Sequence, residues 1–219
     1  MPAFAGIAEH FAQELGDEYI AGMFRRQLPY ALLWKIADPQ AATPLEKQNM
    51  TYRCPSWSWA KADVAVSMVS NHREGSIMAR VMEAKTTLLD SLNPFGRLIY
   101  AHLILRCCLI PCVTSETNDD TAINSRTWNS PHVLYHTPLS KEILFDEHSA
   151  ASIDLRTVFI LPIVRKPRQY GRSEAIALAV RRLGIAGQEQ YERIGIATLR
   201  AHDLVEEIEK FAERDVLLV

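Results

Sequence analysis

Several signatures that would announce an enzyme are missing. The chain has no Gly-rich phosphate loop and no Gly-x-Ser-x-Gly elbow. Neither a P-loop nucleotide site nor an α/β-hydrolase nucleophile is therefore indicated. His132 and His136 stand four apart, but in a loop segment with no Glu-x-x-His partner, unlike the helical zinc pair of a metalloprotease. No apolar run of about 18 residues occurs to span a bilayer; Arg106 breaks the longest candidate. The first sixteen residues carry Glu9, His10 and Glu14 and no basic n-region, which argues against a signal peptide. An excess of one charge is lacking too. The 24 Lys and Arg against 26 Asp and Glu leave a net charge of -2, which excludes a polyanion binder or an acidic tail.

Cysteine is sparse. Four in a chain of this length make no disulfide framework, and point to a reducing, cytoplasmic compartment. Cys107, Cys108 and Cys112 with Cys54 invite a zinc reading. On a strand, however, Cys108 and Cys112 lie about 13 Å apart. Buried thiols fit better, and no metal, cofactor or catalytic residue is assigned.

What is present suits one domain over residues 1–219. Hydrophobic residues make up 48% and charged residues 23%, as in ordinary globular proteins. A core of this size can bury about 70% of the unfolded surface. Phe4, Ile7, Ala8, Phe11 and Leu15 form one apolar helix face. Gly16-Asp17 reads as a stop and an N-cap. A second helix is expected over Tyr19, Ile20, Met23 and Phe24, so that 1–36 is a helical N-terminal part. Gly22 inside that helix costs about 1 kcal/mol against Ala, which suggests close packing. Residues 37–50 form a surface loop, and 114–131 a polar, disordered one.

A β-rich core is expected over 51–200. Its strongest strand runs from Arg97, with Leu98, Tyr100, His102, Ile104 and Arg106 on one face and Ile99, Ala101, Leu103 and Leu105 on the other. Shorter strands are expected around residues 77–88, 143–146, 158–164 and, more weakly, 175–180. Tyr191 to Ala197 is read as the last strand. Asp203 with Glu206 resembles a capping box, and Leu204, Ile208 and Phe211 a helical stripe, giving a C-terminal helix over 203–214. The fold class expected is α+β: N-terminal helices, a mainly antiparallel sheet or barrel-like core, and a C-terminal helix.

The chain is organised around Tyr52-Arg53-Cys54-Pro55-Ser56-Trp57-Ser58-Trp59-Ala60. Pro55 suits the first residue of a strand. Trp57 and Trp59 then point to one face, and Ser56, Ser58 and Ala60 to the other. The pair of indoles reads as a core strand or, alternatively, as an aromatic platform for a ligand or bases. A basic cluster, Arg165, Lys166, Arg168, Arg172, Arg181 and Arg182 with Pro167 and Tyr170, reads as a solvated hairpin end or as a phosphate-binding surface. The acidic balance and the lack of any nucleic-acid motif favour the hairpin end.

Tyr-Arg-x-Pro-Ser-Trp-Ser-Trp-Ala resembles a signature of fungal heterokaryon-incompatibility (HET) domain proteins, in the region downstream of the HET domain. Further residues resemble the same pattern in order. They are Gly16, Asp17, Tyr19, Ala21 and Gly22, then Leu28, Leu32, Leu33 and Trp34, then Phe95, Gly96, Leu98, Leu103, Leu105 and Leu109. Tyr191, Arg193, Ile194 and Gly195 close it. Cys107 and Cys108 stand where the family commonly has Gly-Pro. The Trp-Ile-Asp-x-Leu-Cys-Ile-x-Gln signature of the HET domain itself is absent.

The resemblance implies a role in fungal non-self recognition and programmed cell death, as a non-enzymatic accessory, regulatory or interaction module. Its expected partner is a HET domain, in cis or in trans, with neither nucleic acid nor a membrane involved. The alternative is a degenerate or cryptic nucleotide- or NAD-hydrolysing enzyme module, since the HET domain is thought to be similar to TIR domains. The carboxylates available for that chemistry, such as Asp63, Asp146 and Glu192, sit at strand ends or turns with no phosphate cradle beside them.

Overall fold

The computed structural model describes residues 2–38, 52–69, 75–112, 132–134, 140–146, 153–166, 173–184 and 187–219. The loops expected at 37–50 and 114–131 fall almost wholly outside these.

The chain opens with helix α1 (Pro2–Leu15), followed by the two-residue strands β1 (Tyr19–Ile20) and β2 (Met23–Phe24) and then β3 (Trp34–Ile36). Beyond the Trp-rich stretch come β4 (Val66–Met68), β5 (Ser76–Ile77), β6 (Arg80–Leu88), β7 (Leu98–Cys108) and β8 (Ile110–Pro111). Next are β9 (His132–Leu134), β10 (Ser140–Phe145), β11 (Val158–Arg165), β12 (Ser173–Leu183) and β13 (Gln190–Ala201). Helix α2 (Leu204–Glu209) and β14 (Glu213–Leu218) close the chain.

The fold is therefore mostly β, and the α+β expectation with N-terminal helices is corrected. α1 and α2 are the two α-helices among the described residues. The second expected helix is a hairpin: Tyr19 pairs with Phe24 and Ile20 with Met23. Its two turn residues, Ala21 and Gly22, have φ of 48° and 94°, the left-handed pair that tight hairpins require. A short apolar run does not separate helix from strand by period alone. The glycine is needed by the turn. The C-terminal helix also stops early, because residues 213–218 enter the sheet as β14.

Ten strands share one sheet, whose main path runs β5-β11-β12-β13-β14-β7-β6. Its pairings are antiparallel except that of β13 with β14, which α2 makes possible as a crossover. β8 continues β7 past Leu109 and pairs with β11. The pairings β11–β12–β13–β14–β7/β8–β11 thus form a closed circuit.

β12 shows how sequence sets the two cores. Ile176, Leu178 and Val180 enter one buried cluster with Leu103, Leu105, Leu161, Val216 and Leu218. The intervening Ala175, Ala177 and Ala179 enter a second, with Ile143, Ile160, Leu204 and Ile208. Small alanines let α2 approach the sheet closely. The cap of α2 is as expected, with Glu206 N–H donating to Asp203. β7 obeys the alternation read for it: Ala101, Leu103, Leu105 and Cys107 are buried, and Tyr100, His102, Ile104 and Arg106 lie on the outer side.

Candidate functional site

The Trp-rich stretch is not a strand. Residues 56–58 turn, and a 3-10 helix follows at Trp59–Lys61, capped by the Ser58 hydroxyl, which accepts from Ala60 N–H at 3.1 Å. The same hydroxyl donates to Ala21 O at 2.6 Å, and the Trp59 indole N–H donates to Gly22 O at 2.6 Å. The β1–β2 turn is thereby fastened onto the motif. A Cβ at Gly22 would meet Ser58 Oγ and Trp59 Nε1, both at 3.3 Å. The indoles do not share a face: Trp57 is fully buried and Trp59 only partly. Alternation of Ser and Trp is compatible with a strand, but the serines here cap and bridge instead. No ligand platform results.

Ser56 is the bridge. It accepts from Arg193 N–H at 2.9 Å, while its own hydroxyl donates to Val219 O. Its backbone N–H donates to the same carbonyl at 3.1 Å. Trp57 O accepts from the Trp34 indole at 3.0 Å. The Trp57 indole N–H is buried with no hydrogen-bond partner among the described residues.

Arg193 lies at the centre, its side chain wholly buried. Its guanidinium donates to Leu32 O at 2.5 Å and Trp34 O at 2.6 Å, and grips Asp146 at 2.8 and 3.1 Å. The guanidinium carbon sits 3.5 Å from the centroid of the Trp34 ring. A buried charge persists only when paired and hydrogen-bonded, and four hydrogen bonds, two of them to Asp146, serve this guanidinium. The backbone explains the placement. Val180 pairs with Arg193 but Ala179 with Gly195, so Ile194 is an extra residue, a bulge that re-aims its neighbour. At Gly195 a Cβ would come 2.3 Å from Leu144 O, so only glycine admits β10 alongside.

The residues of the family-like pattern thus converge on one interior framework. Asp17 accepts from the backbone N–H groups of Glu18 and Arg26 rather than capping a helix. Tyr19 packs on Phe24 and Phe95, with centroids 5.7 and 5.5 Å away. Tyr191 meets Phe159 edge-on. Arg193 was legible only as the last charged residue of a motif; its burial had no sequence signal.

The other candidates are scattered. Asp63 pairs with Arg53 at 2.5 Å, Asp146 with Arg193, and Glu192 with the Arg181 Nε at 2.6 Å. Each of the three carboxylates is therefore held by an arginine. Of the basic cluster, Lys166 is 2.7 Å from Glu174 and Arg182 is 3.7 Å from Glu189. Pro167, Arg168, Tyr170 and Arg172 lie outside the described residues, as does His136. Cys107 and Cys112 are buried, and burial pushes the Cys107 thiol up to about 12. Cys108 donates to Phe211 O. Among the described residues no three His, Cys, Asp or Glu side chains gather to hold a metal. No helix of the described residues is long and apolar enough to cross a membrane.

One surface stands apart. α1 turns its small side inward: Ala8 is 8% exposed, and Ala5 and Ala12 are half-buried. Its large apolar side faces outward, with Ile7 55%, Phe11 51% and Leu15 49% exposed. An amphipathic helix normally buries its large residues against its own core. This one buries alanines and leaves a contiguous stripe open.

Comparison with protein-family models, with curated proteins and with solved structures gave no match.

Proposed function

We propose that this chain is a non-enzymatic accessory or interaction module of a heterokaryon-incompatibility-type protein, working by protein contact to support, restrain or recruit a HET domain in fungal non-self recognition and cell death. The observation that carries the reading is the open stripe Ile7, Phe11 and Leu15 on α1. Exposed apolar surface of this kind marks sites of protein contact. The HET-type resemblance supplies the class of partner. Two further features favour a binding role over hydrolysis. The carboxylates that could serve chemistry are neutralised by Arg53, Arg193 and Arg181. The two motif indoles, Trp57 and Trp59, are spent on the framework.

The test uses the purified chain and a HET-type domain carrying the Trp-Ile-Asp-x-Leu-Cys-Ile-x-Gln signature. Retention of that domain on the immobilised chain, with no nicotinamide released from NAD by the chain alone, is the expected result. Turnover by the chain alone, abolished by Asp63→Asn or Glu192→Gln, overturns the reading and makes the chain an enzyme.

A further inference from the structure

We propose that the strand circuit, at the end where β12 turns into β13, binds a phosphate dianion through Arg182, Arg214 and the Tyr191 hydroxyl, in the place now taken by the Glu189 carboxylate. The site is built from β11 to β14 and uses no residue of α1, so it goes beyond the contact role.

Strand register brings these side chains together. Arg182 lies directly opposite Tyr191, and Phe159 opposite Val180. Residues opposite one another on paired strands share a face, as do residues two apart on one strand. Val180, Tyr191 and Val216 belong to the first buried cluster. Arg182, two residues after Val180, and Arg214, two before Val216, therefore rise from the same inner face, at its rim. Exposure follows that order. Tyr191 is 2% exposed, whereas the side chains of Arg182, Arg214 and Glu189 are 49%, 53% and 57% exposed. The mouths of closed sheets are favoured places for ligands. Arg182 is braced there, its guanidinium carbon 5.9 Å from the centroid of the Phe159 ring, which itself meets Tyr191 edge-on.

The charges at this rim are unevenly matched. On the outer face Arg181 pairs with Glu192 at 2.6 Å, and Arg106 grips Asp215 at 2.8 and 2.9 Å. At the rim two arginines share the one carboxylate of Glu189. The sharing is loose. Glu189 Oε2 accepts from both Arg214 Nη1 and the Tyr191 hydroxyl at 3.3 Å, and Oε1 stands 3.7 Å from Arg182 Nη1. Charge-assisted bonds normally close to about 2.7–2.9 Å. A planar carboxylate brings two oxygens to donors from three strands. A phosphate monoester or free phosphate dianion brings three terminal oxygens, one for each donor, and two negative charges for two arginines. Burial, and then the Glu189 charge, push the Tyr191 phenol up, so it stays protonated and donates at neutral pH. Glu189 stands just outside β13 with its carboxylate in solvent, and it yields by turning outward.

Isothermal titration of the full chain with phenyl phosphate, inorganic phosphate and benzoate, near neutral pH and at low salt, tests this. A phosphate should bind saturably at one site, and the tighter of the two identifies an ester or the free ion as its source. Benzoate offers the same planar group as Glu189 and should bind at least about tenfold more weakly than phenyl phosphate. Arg182→Gln and Arg214→Gln should each weaken phosphate binding about tenfold or more. Glu189→Gln should tighten it about threefold or more, a gain that misfolding does not mimic. Absence of saturable phosphate binding, equal affinity for benzoate, or indifference to both arginine substitutions overturns the proposal, as does weaker binding by Glu189→Gln.

Discussion

The guanidinium of Arg193 lies 3.5 Å from the ring centroid of Trp34 and donates to that residue's own carbonyl. One side chain therefore holds both the face and the backbone of the other. Asp146 completes the arrangement from β10. Arg193→Leu leaves Asp146 without its partner and two carbonyls without donors. A loss of about 3–5 kcal/mol is expected, read as a fall in the urea midpoint at constant m. The double variant Arg193→Leu/Asp146→Leu should recover part of it, since no unpaired charge then remains. Equal destabilisation of single and double variants would show that the carbonyl contacts, and not the ion pair, carry the effect.

Gly22→Ala should destabilise where Gly6→Ala does not. Gly22 has φ +94° and a Cβ there presses on Ser58 and Trp59, so a cost above about 1 kcal/mol is expected. Gly6 is inside α1 with nothing within 4 Å of its Cβ position, so alanine should gain up to about 1 kcal/mol. Thermal unfolding of the two variants side by side checks the contrast.

The thiols should be sluggish. With Cys107 pushed up to about 12 by burial and Cys112 fully buried, neither should react with a disulfide reagent at pH 8 in the folded protein. Cys54 and Cys108 are partly exposed, yet burial raises both, so they should react slowly. All four should titrate at once in denaturant. Fast labelling of Cys107 in the native chain would mean that β7 opens.

Glu174 should contribute acid sensitivity. Burial raises its pKa, but Lys166 at 2.7 Å and Arg200 at 3.0 Å outweigh that and leave it below the ordinary 4.5. A depressed folded pKa gives stability that is present above pH 4.5 and is lost as pH falls through the folded value. Glu174→Gln should therefore flatten the stability profile below pH 4.5 and lower the plateau above it. An unchanged profile would mean that the triad is screened by solvent.

The parts of this fold that were legible follow simple periodicity. β7 alternates from Ala101 onward, where its buried face could be named residue by residue; Ile99, expected on that same face, is exposed near the start of the strand. The cap at Asp203 placed the start of α2. The hairpin at residues 19–24 was not legible as such, because its strands are two residues long and its turn needs positive φ at an alanine. β14 was missed because Glu213, Arg214 and Asp215 precede its apolar half and continue the polarity of the helix before them. The Trp motif is legible as an organising centre but not in its geometry: the spacing of Ser56 and Ser58 suits one face of a strand, whereas their hydroxyls tie together segments far apart in sequence. The outward stripe of α1 was visible as an apolar face, but not which side of the helix the body of the protein would take.

β14 closes the circuit of strand pairings, yet it is made after every strand it joins. Until residues 213–218 have left the ribosome, β7 and the end of β13 each present an unpaired edge, the kind of surface on which chains aggregate or exchange strands. Its pairing to β13 spans only Gln190–Leu217 and Tyr191–Leu218, against six residue pairs to β7. The nascent chain thus holds a β6–β7 hairpin and a β11–β13 meander that wait, side by side, for a six-residue strand. For this protein, the arrival of β14 sets how long those edges stay open.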